Sequence, residues 1–125
     1  SDVYKRQDSQ YDEGPLRGLV DTLNATKAER MLLLAVDLPK MPINFLGELI
    51  YSGCGTIPVH KNGMTEPLAA VYPKSLIKLA EKNLKLGILK MQTFTAQAID
   101  EGFLKERPIK DSEISFFENL NYSNI

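Results

Sequence analysis

The sequence predicts an α/β fold with a mainly parallel sheet and an antiparallel edge. Apolar runs typical of buried strands alternate with segments whose apolar residues recur at helical spacing. Two short strands flank the turn Lys61-Asn62-Gly63, which predicts an antiparallel hairpin. The chain has 125 residues, of which 43% are hydrophobic and 25% charged, as expected for one small globular domain.

The first half of the chain predicts two helices and three strands. Gly14-Pro15-Leu16 opens a helix, because proline suits the first helical turn. A fully buried strand over residues 31–36 follows, and Asp37 comes directly after it. A short amphipathic helix is predicted over 43–51, and strands are predicted over 56–60 and 66–72. Pro58 indicates that the strand over 56–60 lies at an edge or is irregular.

The second half predicts two more helices and two more strands. The clearest helix covers 73–86, and Gly87 ends it in the C′ position. Another short helix is predicted over 91–99. A strand over 103–109 is broken by Pro108, and a last short strand is predicted over 114–117.

Composition and charge exclude several classes of protein. A formal net charge of -1 gives no basic field for nucleic acid and no polybasic patch for a membrane. No apolar run approaches the roughly 20 residues that a membrane span needs. Cys54 is the only cysteine, so neither an intrachain disulfide nor a cysteine zinc cluster is predicted. We expect a reduced, cytoplasmic setting.

Residues 1–7, SDVYKRQ, are polar and have no periodicity. Residues 2–7 can be translated back to GATGTGTATAAGAGACAG, a DNA string that resembles the transposon end used in sequencing-library adapters. We interpret residues 1–7 as a non-native tail and residues 8–125 as the domain. A genuine disordered tail is the alternative interpretation.

Asp37 is the strongest candidate for a functional residue. It follows a strand directly, and open α/β sheets bind ligands at the carboxyl ends of their strands. A hard oxygen ligand at that place suits Mg²⁺, whereas capping of the helix that begins near Ile43 is an equally good role. Gly14, before a helix, leaves N–H groups open to an anion, although a tight turn also explains it. His60 is interpreted as a surface residue and Cys54 as structural.

Five motifs, in order, resemble the molybdenum cofactor guanylyltransferases, within the wider group of nucleotidyltransferases of that type. They are EGPLRGLVDTL, LLLAVDLPKMP, TEPLAAVYPKSL, KLGILKMQTF and FFENLN. The resemblance implies a Rossmann-like three-layer fold and the transfer of GMP from GTP to molybdopterin, with Mg²⁺ as cofactor and pyrophosphate as product. It also implies contacts with molybdenum cofactor synthesis proteins and molybdoenzymes.

The resemblance also implies roles for individual residues. Asp37 matches the family's catalytic, metal-binding acid. The positions that match nucleotide-binding residues are Asp8, Gly14, Pro15 and Leu16. Those that match the pterin-binding side are Asn119, Asn121 and, more loosely, Lys90.

The sequence departs from the family at its beginning. The family's glycine-rich loop, of the form L-A-G-G-x-S-x-R-M-G with a lysine after it, is absent, and so are the first strands. We therefore interpret the chain as the C-terminal part of such a domain, inactive alone and prone to associate through an unpaired sheet edge. A cytidylyltransferase or another nucleotidyltransferase of this fold is the first alternative. A non-catalytic binding module derived from the fold is the second.

Overall fold

Helices and strands are interspersed along residues 9–119, the part of the chain that the computed structural model describes; side chains are described from residue 13 onward. The elements are α1 Ser9–Ala25, β1 Arg30–Leu34, α2 Ile43–Tyr51, β2 Thr56–Val59, β3 Ala69–Pro73, the 3₁₀ helix η1 Lys74–Leu76, α3 Ile77–Leu86, α4 Met91–Asp100, β4 Lys105–Pro108 and the 3₁₀ helix η2 Asp111–Phe117. The predicted non-native tail, residues 1–7, lies outside the described residues.

The four strands form one mixed sheet in the order β1-β3-β2-β4. β3 is antiparallel to both β1 and β2, and β2 is parallel to β4, so β1, β2 and β4 all run in one direction. This confirms the predicted α/β class and the antiparallel hairpin. The antiparallel strand is interior rather than at an edge of the described sheet, because β3 pairs along all of β1, from Arg30↔Pro73 to Leu34↔Ala69.

β2 lies inside the sheet, so an edge position for the strand containing Pro58 is wrong. β2 pairs with β4 along its whole length, from Thr56↔Lys105 to Val59↔Pro108. Its pairing with β3 is interrupted, with Thr56↔Val71 at one end and the isolated bridge Val59↔Thr65 at the other. Proline has no N–H to donate, which accounts for this irregular ladder.

β1 is shorter and less buried than predicted. It ends at Leu34, which is 38% exposed, and Val36 lies beyond it, fully exposed. The reason is its position: among residues 9–119, no strand pairs with the outer side of β1. Both faces of β1 are covered, but its outer edge is not paired within these residues, so each of its side chains stays partly accessible to solvent.

Helices cover both faces of the sheet and give three layers. The cluster on one face joins α1, α3 and α4 to the sheet; its members include Leu16, Leu23, Tyr72, Leu76 and Phe94. The cluster on the other face joins α2 and η2 to the sheet; its buried members are Phe45, Leu49, Ala69, Val71, Ile109 and Phe117. No helix within residues 9–119 is long and apolar enough to cross a lipid bilayer.

The predicted helices over 43–51, 73–86 and 91–99 are confirmed, with η1 forming the first turn of the second of these. Leu76, Ala80 and Leu84 are buried at helical spacing along η1 and α3. Gly87 ends α3 in the left-handed conformation, φ 73°, and its N–H donates to the carbonyls of Asn83 and Leu84.

The last predicted strand, over 114–117, is wrong, because residues 111–117 form η2. Glu113 folds this segment back: its carboxylate accepts the Lys110 N–H at 2.9 Å and the Arg107 guanidinium at 2.7 Å. Phe117 then packs into the core cluster beneath α2. These contacts join η2 to other elements of the fold. The apolar pattern of four residues, from which the strand was predicted, contains no information about such contacts.

Candidate functional site at the carboxyl edge of the sheet

The parallel strands β1, β2 and β4 finish at the same end of the sheet, which we call the carboxyl edge. Hydrogen bonds hold the chain together there. The Ala35 N–H donates to the Leu68 carbonyl at 2.7 Å, and the Ile109 N–H donates to the Val59 carbonyl at 2.9 Å. Open α/β sheets bind their ligands at this end, so the carboxyl edge is the candidate location of a binding site.

Asp37 lies at the carboxyl edge, in the turn that follows β1, and is half-buried. It does not cap α2, because the N-cap of that helix is Pro42 and no side chain bonds to the helix start. Within residues 13–119, the Asp37 carboxylate has neither a hydrogen bond nor an ion pair. The helix start thus rules out the capping alternative, and no described residue occupies the carboxylate oxygens.

The donor set around Asp37 fits a shared magnesium site better than a cage made only of protein. Among the described residues, no three acids, histidines or cysteines converge on one point. Mg²⁺ keeps several waters and is usually held by one or two carboxylates together with substrate phosphates. The Asp37 carboxylate, at a ligand-binding edge and unbonded within residues 13–119, meets that requirement.

The segment Gly14-Pro15-Leu16 begins the regular part of α1. Gly14 has φ 56° and ψ -144°, a conformation that glycine adopts readily and other residues do not, and it kinks the chain before Pro15. Gly14 and Pro15 are exposed, whereas the Leu16 side chain is completely buried in the core. A role for Leu16 beside a nucleotide would therefore use its backbone.

The start of α1 points toward the carboxyl edge. α1 ends at Ala25 and reaches β1 through a connection of four residues, 26–29, so the helix runs against the strand. Lys74 holds this connection at the opposite end of the sheet: its ammonium donates to the Thr26 carbonyl, and its N–H donates to the Glu29 carbonyl. The first turn of α1 therefore lies toward the same end of the sheet as Asp37.

Lys90 lies at the same edge, at the N-cap of α4, and its side chain is exposed. Gln92 fastens this helix start to Thr65, which forms a bridge with the end of β2. The amide oxygen of Gln92 accepts the Thr65 N–H at 2.9 Å, and its amide nitrogen donates to the Thr65 carbonyl at 2.9 Å. Thr65 also bonds to the hydroxyl of the buried Thr95 at 2.8 Å.

Asn119 is exposed and follows η2. An ion pair brings its segment to the loop after Asp37: the Lys40 ammonium lies 2.6 Å from the carboxylate of Glu118, the neighbour of Asn119. The structure thus gathers Asp37, the start of α1, Lys90 and Asn119 at one end of the molecule. Asp8 and Asn121, the other two residues singled out from the sequence, lie outside the described residues.

The pair His60–Glu66 is a feature of this edge that the sequence did not predict. Nε2 of His60 lies 2.6 Å from Oε2 of Glu66, and the two side chains are 24% and 27% exposed. The imidazole also packs edge-to-face on Phe117, with ring centroids 5.9 Å apart. His60 is therefore half-buried between the hairpin and η2 rather than on an open surface. The signal in the sequence was a histidine and an acid on either side of a tight turn.

Arg107 fixes η2, and with it the approach to Asn119. Its guanidinium donates to Glu113 at 2.7 and 2.8 Å and to Glu48 at 2.6 and 3.0 Å, and it lies 4.8 Å from the ring centroid of Phe45. Hydrogen bonds from Arg107 hold the pKa of Glu113 and that of Glu48 below the ordinary value of 4.5. One terminal nitrogen of the guanidinium also donates to the Pro108 carbonyl. All three guanidinium nitrogens of Arg107 thus donate to groups of the protein itself, so the role of this side chain is structural.

Curated relatives and solved structures resemble this chain. A probable molybdenum cofactor guanylyltransferase from Opitutus terrae is 32% identical over 106 residues, which cover 80% of this chain and 52% of that protein. A protein of the same description from Methanosarcina mazei is 30% identical over 119 residues, covering 91% of this chain and 53% of its own length. The chain thus spans about half the length of the curated relatives it matches.

Two solved structures have the same fold. A putative protein from Aquifex aeolicus VF5 superposes with a TM-score of 0.70 at 22% identity, over 86% of this chain and 56% of that one. Molybdopterin-guanine dinucleotide biosynthesis protein A from Archaeoglobus fulgidus superposes with a TM-score of 0.67 at 24% identity, again over 86% and 56%.

A family model also matches most of the chain. Residues 2–100 match the family described as the MobA-like NTP transferase domain. That range contains Gly14, Asp37 and Lys90 and stops before Asn119. Because it covers well over half of the 125 residues, the chain belongs to the MobA-like NTP transferase domain family.

Proposed function

We propose that this chain forms part of a Mg²⁺-dependent nucleotidyltransferase of molybdenum cofactor biosynthesis, acting in the cytoplasm. The reaction is the transfer of GMP from GTP to molybdopterin, with release of pyrophosphate. Family membership and the names of the curated relatives support this reaction. The observation that carries it is Asp37: a half-buried carboxylate at the carboxyl edge, not used as a helix cap and without a bond among residues 13–119.

In this reaction a terminal phosphate oxygen of molybdopterin forms a bond to the α-phosphorus of GTP. The bond from that phosphorus to the oxygen bridging to the β-phosphate breaks, and pyrophosphate leaves with the electron pair. Asp37 would hold Mg²⁺, which, when bound, neutralises phosphate charge and orients the in-line displacement. Gly14 lets the backbone approach the nucleotide closely, and the dipole of α1 favours negative charge near its start.

The acceptor would bind on the other side of the carboxyl edge. Lys90 offers a positive charge to the phosphate of molybdopterin, and the amides of Asn119 and Asn121 offer both donors and acceptors to the pterin ring. Asp8 would lie on the nucleotide side with Gly14, Pro15 and Leu16. The protein would pass its product to molybdoenzymes, with other molybdenum cofactor synthesis proteins as partners.

The test uses a chimaera that joins this chain to the segment preceding the matched region in the Opitutus terrae relative. Pyrophosphate release is measured with molybdopterin, Mg²⁺ and either GTP or CTP. We expect a preference for GTP. Asp37→Ala should lower the rate more than about a hundredfold, since even groups that only support metal ligands cost up to that much.

Asp100→Ala is the matched control, because Asp100 is an exposed acid in the last turn of α4, at the opposite end of the sheet. It should leave the rate unchanged. A preference for CTP would replace the guanylyl assignment with the cytidylyl one. Equal rates for Asp37→Ala and Asp100→Ala would disprove the role of Asp37.

A further inference from the structure

The loop between β2 and β3 contains a bridge that turns the backbone polar groups of Thr65 away from β2. Thr65 lies in this isolated antiparallel bridge opposite the last residue of β2. Its two neighbours make the hydrogen bonds of the bridge. The Met64 carbonyl accepts the His60 N–H at 2.8 Å, and on the other side the Glu66 N–H donates to the Pro58 carbonyl at 3.0 Å. A residue between two such bonds directs its own N–H and C=O to the opposite side.

The side chain of Gln92, at the start of α4, binds both of these groups. Its amide oxygen accepts the Thr65 N–H, and its amide nitrogen donates to the Thr65 carbonyl, each at 2.9 Å. One side chain thus takes the place of a neighbouring strand. Thr65 is only 6% exposed, and its hydroxyl also bonds to that of the buried Thr95 at 2.8 Å. These bonds fix the first turn of α4 against the loop, because buried backbone groups that lose their partners are costly.

The same loop also holds the strand end that precedes Asp37. The Ala35 N–H donates to the Leu68 carbonyl at 2.7 Å, and Asp37 follows Ala35 by two residues. We call residues 65–68 the bracket, because one end of this segment is bonded to α4 and the other to the chain just after β1. The bracket therefore fixes the start of α4 relative to the turn that contains Asp37.

The spacing across the bracket matters for the proposed reaction, because the two substrates meet between Asp37 and Lys90. Asp37 is proposed to hold the metal that binds the nucleotide phosphates. Lys90, two residues before Gln92, is proposed to bind the phosphate of molybdopterin. That phosphate has to attack the α-phosphorus in line with the leaving group, and a misplacement of about 1 Å costs about a hundredfold in rate.

We propose that Gln92 is a positioning residue for the acceptor: it touches neither substrate, and by binding Thr65 it places Lys90 for the phosphate of molybdopterin. The inference rests on the proposed function, from which it takes the role of Lys90. It adds the residue that holds Lys90 at its distance from Asp37. Gln92 therefore acts on molybdopterin binding only through Lys90.

Binding of molybdopterin to the 125-residue chain, measured by isothermal titration calorimetry, tests this inference. Lys90→Ala should raise the Kd about tenfold, because it removes a charged partner of the phosphate. Gln92→Met keeps the length of the side chain but lacks the amide that binds Thr65, and it should raise the Kd about fivefold. In the double variant the second change should add less than about twofold, because no lysine is left to misplace.

Gln97→Met is the matched control. Gln97 is also a partly buried glutamine of α4 that bonds to another element, since its amide oxygen accepts from the buried Asn83 of α3 at 2.7 Å. It lies five residues further along the helix, away from the carboxyl edge. This variant should leave the Kd unchanged even where it lowers the stability of the fold, and urea unfolding measures the stability of each variant.

An equal effect of Gln92→Met in the presence and in the absence of Lys90 would overturn the inference, since Gln92 would then act through the fold in general. A loss of affinity in Lys90→Ala but not in Gln92→Met would overturn it too, while leaving the proposed function standing. No binding by the unchanged chain, or no effect of Lys90→Ala, would remove the proposed acceptor site together with the inference. If Gln92→Met does not fold, Gln92→Asn replaces it with the same expectations, because its shorter side chain cannot reach both groups of Thr65.

Discussion

Among residues 13–119, some charged side chains hold elements of the fold together, and others at the carboxyl edge have no bonded partner. Arg107 and Asp37 illustrate the difference. The guanidinium of Arg107 is shared by Glu48 and Glu113 and is only 13% exposed, so it joins β4, α2 and η2. The carboxylate of Asp37 has no such partner among residues 13–119. A carboxylate at the carboxyl edge of an α/β sheet, unbonded within this range, is placed where such sheets bind ligands.

Arg107→Met should destabilise the protein by about 3 kcal/mol near neutral pH, because it leaves the largely buried Glu113 without its partner. The lowered pKa of Glu113 sets the pH dependence: its stabilising effect is complete above the ordinary value of 4.5 and is lost as the pH falls below it. The stability difference between the two proteins should therefore shrink at acid pH. Urea unfolding from pH 7 down to pH 3 measures this difference.

Lys40→Met is the control for that experiment. Lys40 pairs with Glu118 on the surface, where the two side chains are 60% and 55% exposed, and exposed pairs contribute little. Its unfolding curve should stay close to that of the unchanged protein at every pH. A stability difference for Arg107→Met that does not vary with pH would show that Glu113 is not linked to this guanidinium.

At the scale of elements, close packing between a turn and two strands fixes the order of the sheet. Gly55 precedes β2, and its carbonyl accepts the Lys105 N–H at 2.8 Å at the start of β4. A Cβ on Gly55 would lie 2.5 Å from the Phe103 carbonyl oxygen and 2.5 Å from Cδ of Pro73. The chain segments around β2, β3 and β4 meet at this glycine.

Gly55→Ala should therefore destabilise the protein by about 2 kcal/mol, because the backbone of Phe103 and the ring of Pro73 must move apart. Gly47→Ala is the matched change within α2, where the nearest atom to the new Cβ is Cε2 of Tyr51 at 4.0 Å. It should stabilise the helix by about 0.5–1 kcal/mol. Thermal unfolding compares the two; equal effects from both would contradict the packing at Gly55.

At the scale of the whole molecule, the candidate residues lie at one end of the sheet. Few of them carry a positive charge that could bind a triphosphate. Asp37, the first turn of α1, Lys90 and Asn119 all lie toward the carboxyl edge, held there by Gln92, Lys74 and the Lys40–Glu118 pair. The 125 residues contain no glycine-rich phosphate-binding loop with basic residues beside it. Positioning and charge stabilisation account for most of phosphoryl-transfer catalysis, so this lack matters for activity.

We predict that the 125-residue chain alone, mixed with GTP, Mg²⁺ and molybdopterin, forms no guanylylated product. Chromatographic separation of the nucleotides detects the product directly. The chimaera with the segment from the Opitutus terrae relative is the positive control. Product formed by the chain alone, and lost on Asp37→Ala, would contradict this prediction.

The sequence by itself determined the alternation of helices and strands, because each of these elements carries its own periodicity. The apolar spacing of α2, α3 and α4, the proline that opens the regular part of α1 and the glycine that ends α3 are local signals, and all four helices were predicted. The hairpin followed from its turn. Asp37 was singled out as a candidate because its position directly after an apolar run is also a local signal, and its role stays a prediction. The ordered motifs identified the family.

Only the tertiary structure decided how the elements meet. β3 lies between β1 and β2, β1 is the outer strand of the sheet formed by residues 9–119, and η2 replaces a predicted strand. These outcomes depend on pairing and side-chain contacts between residues far apart in the chain. The His60–Glu66 pair is half-buried for the same reason, since Phe117 comes from another element. Only the structure shows that Asp37 does not cap α2, because the N-cap of that helix is Pro42 and no side chain bonds to the helix start.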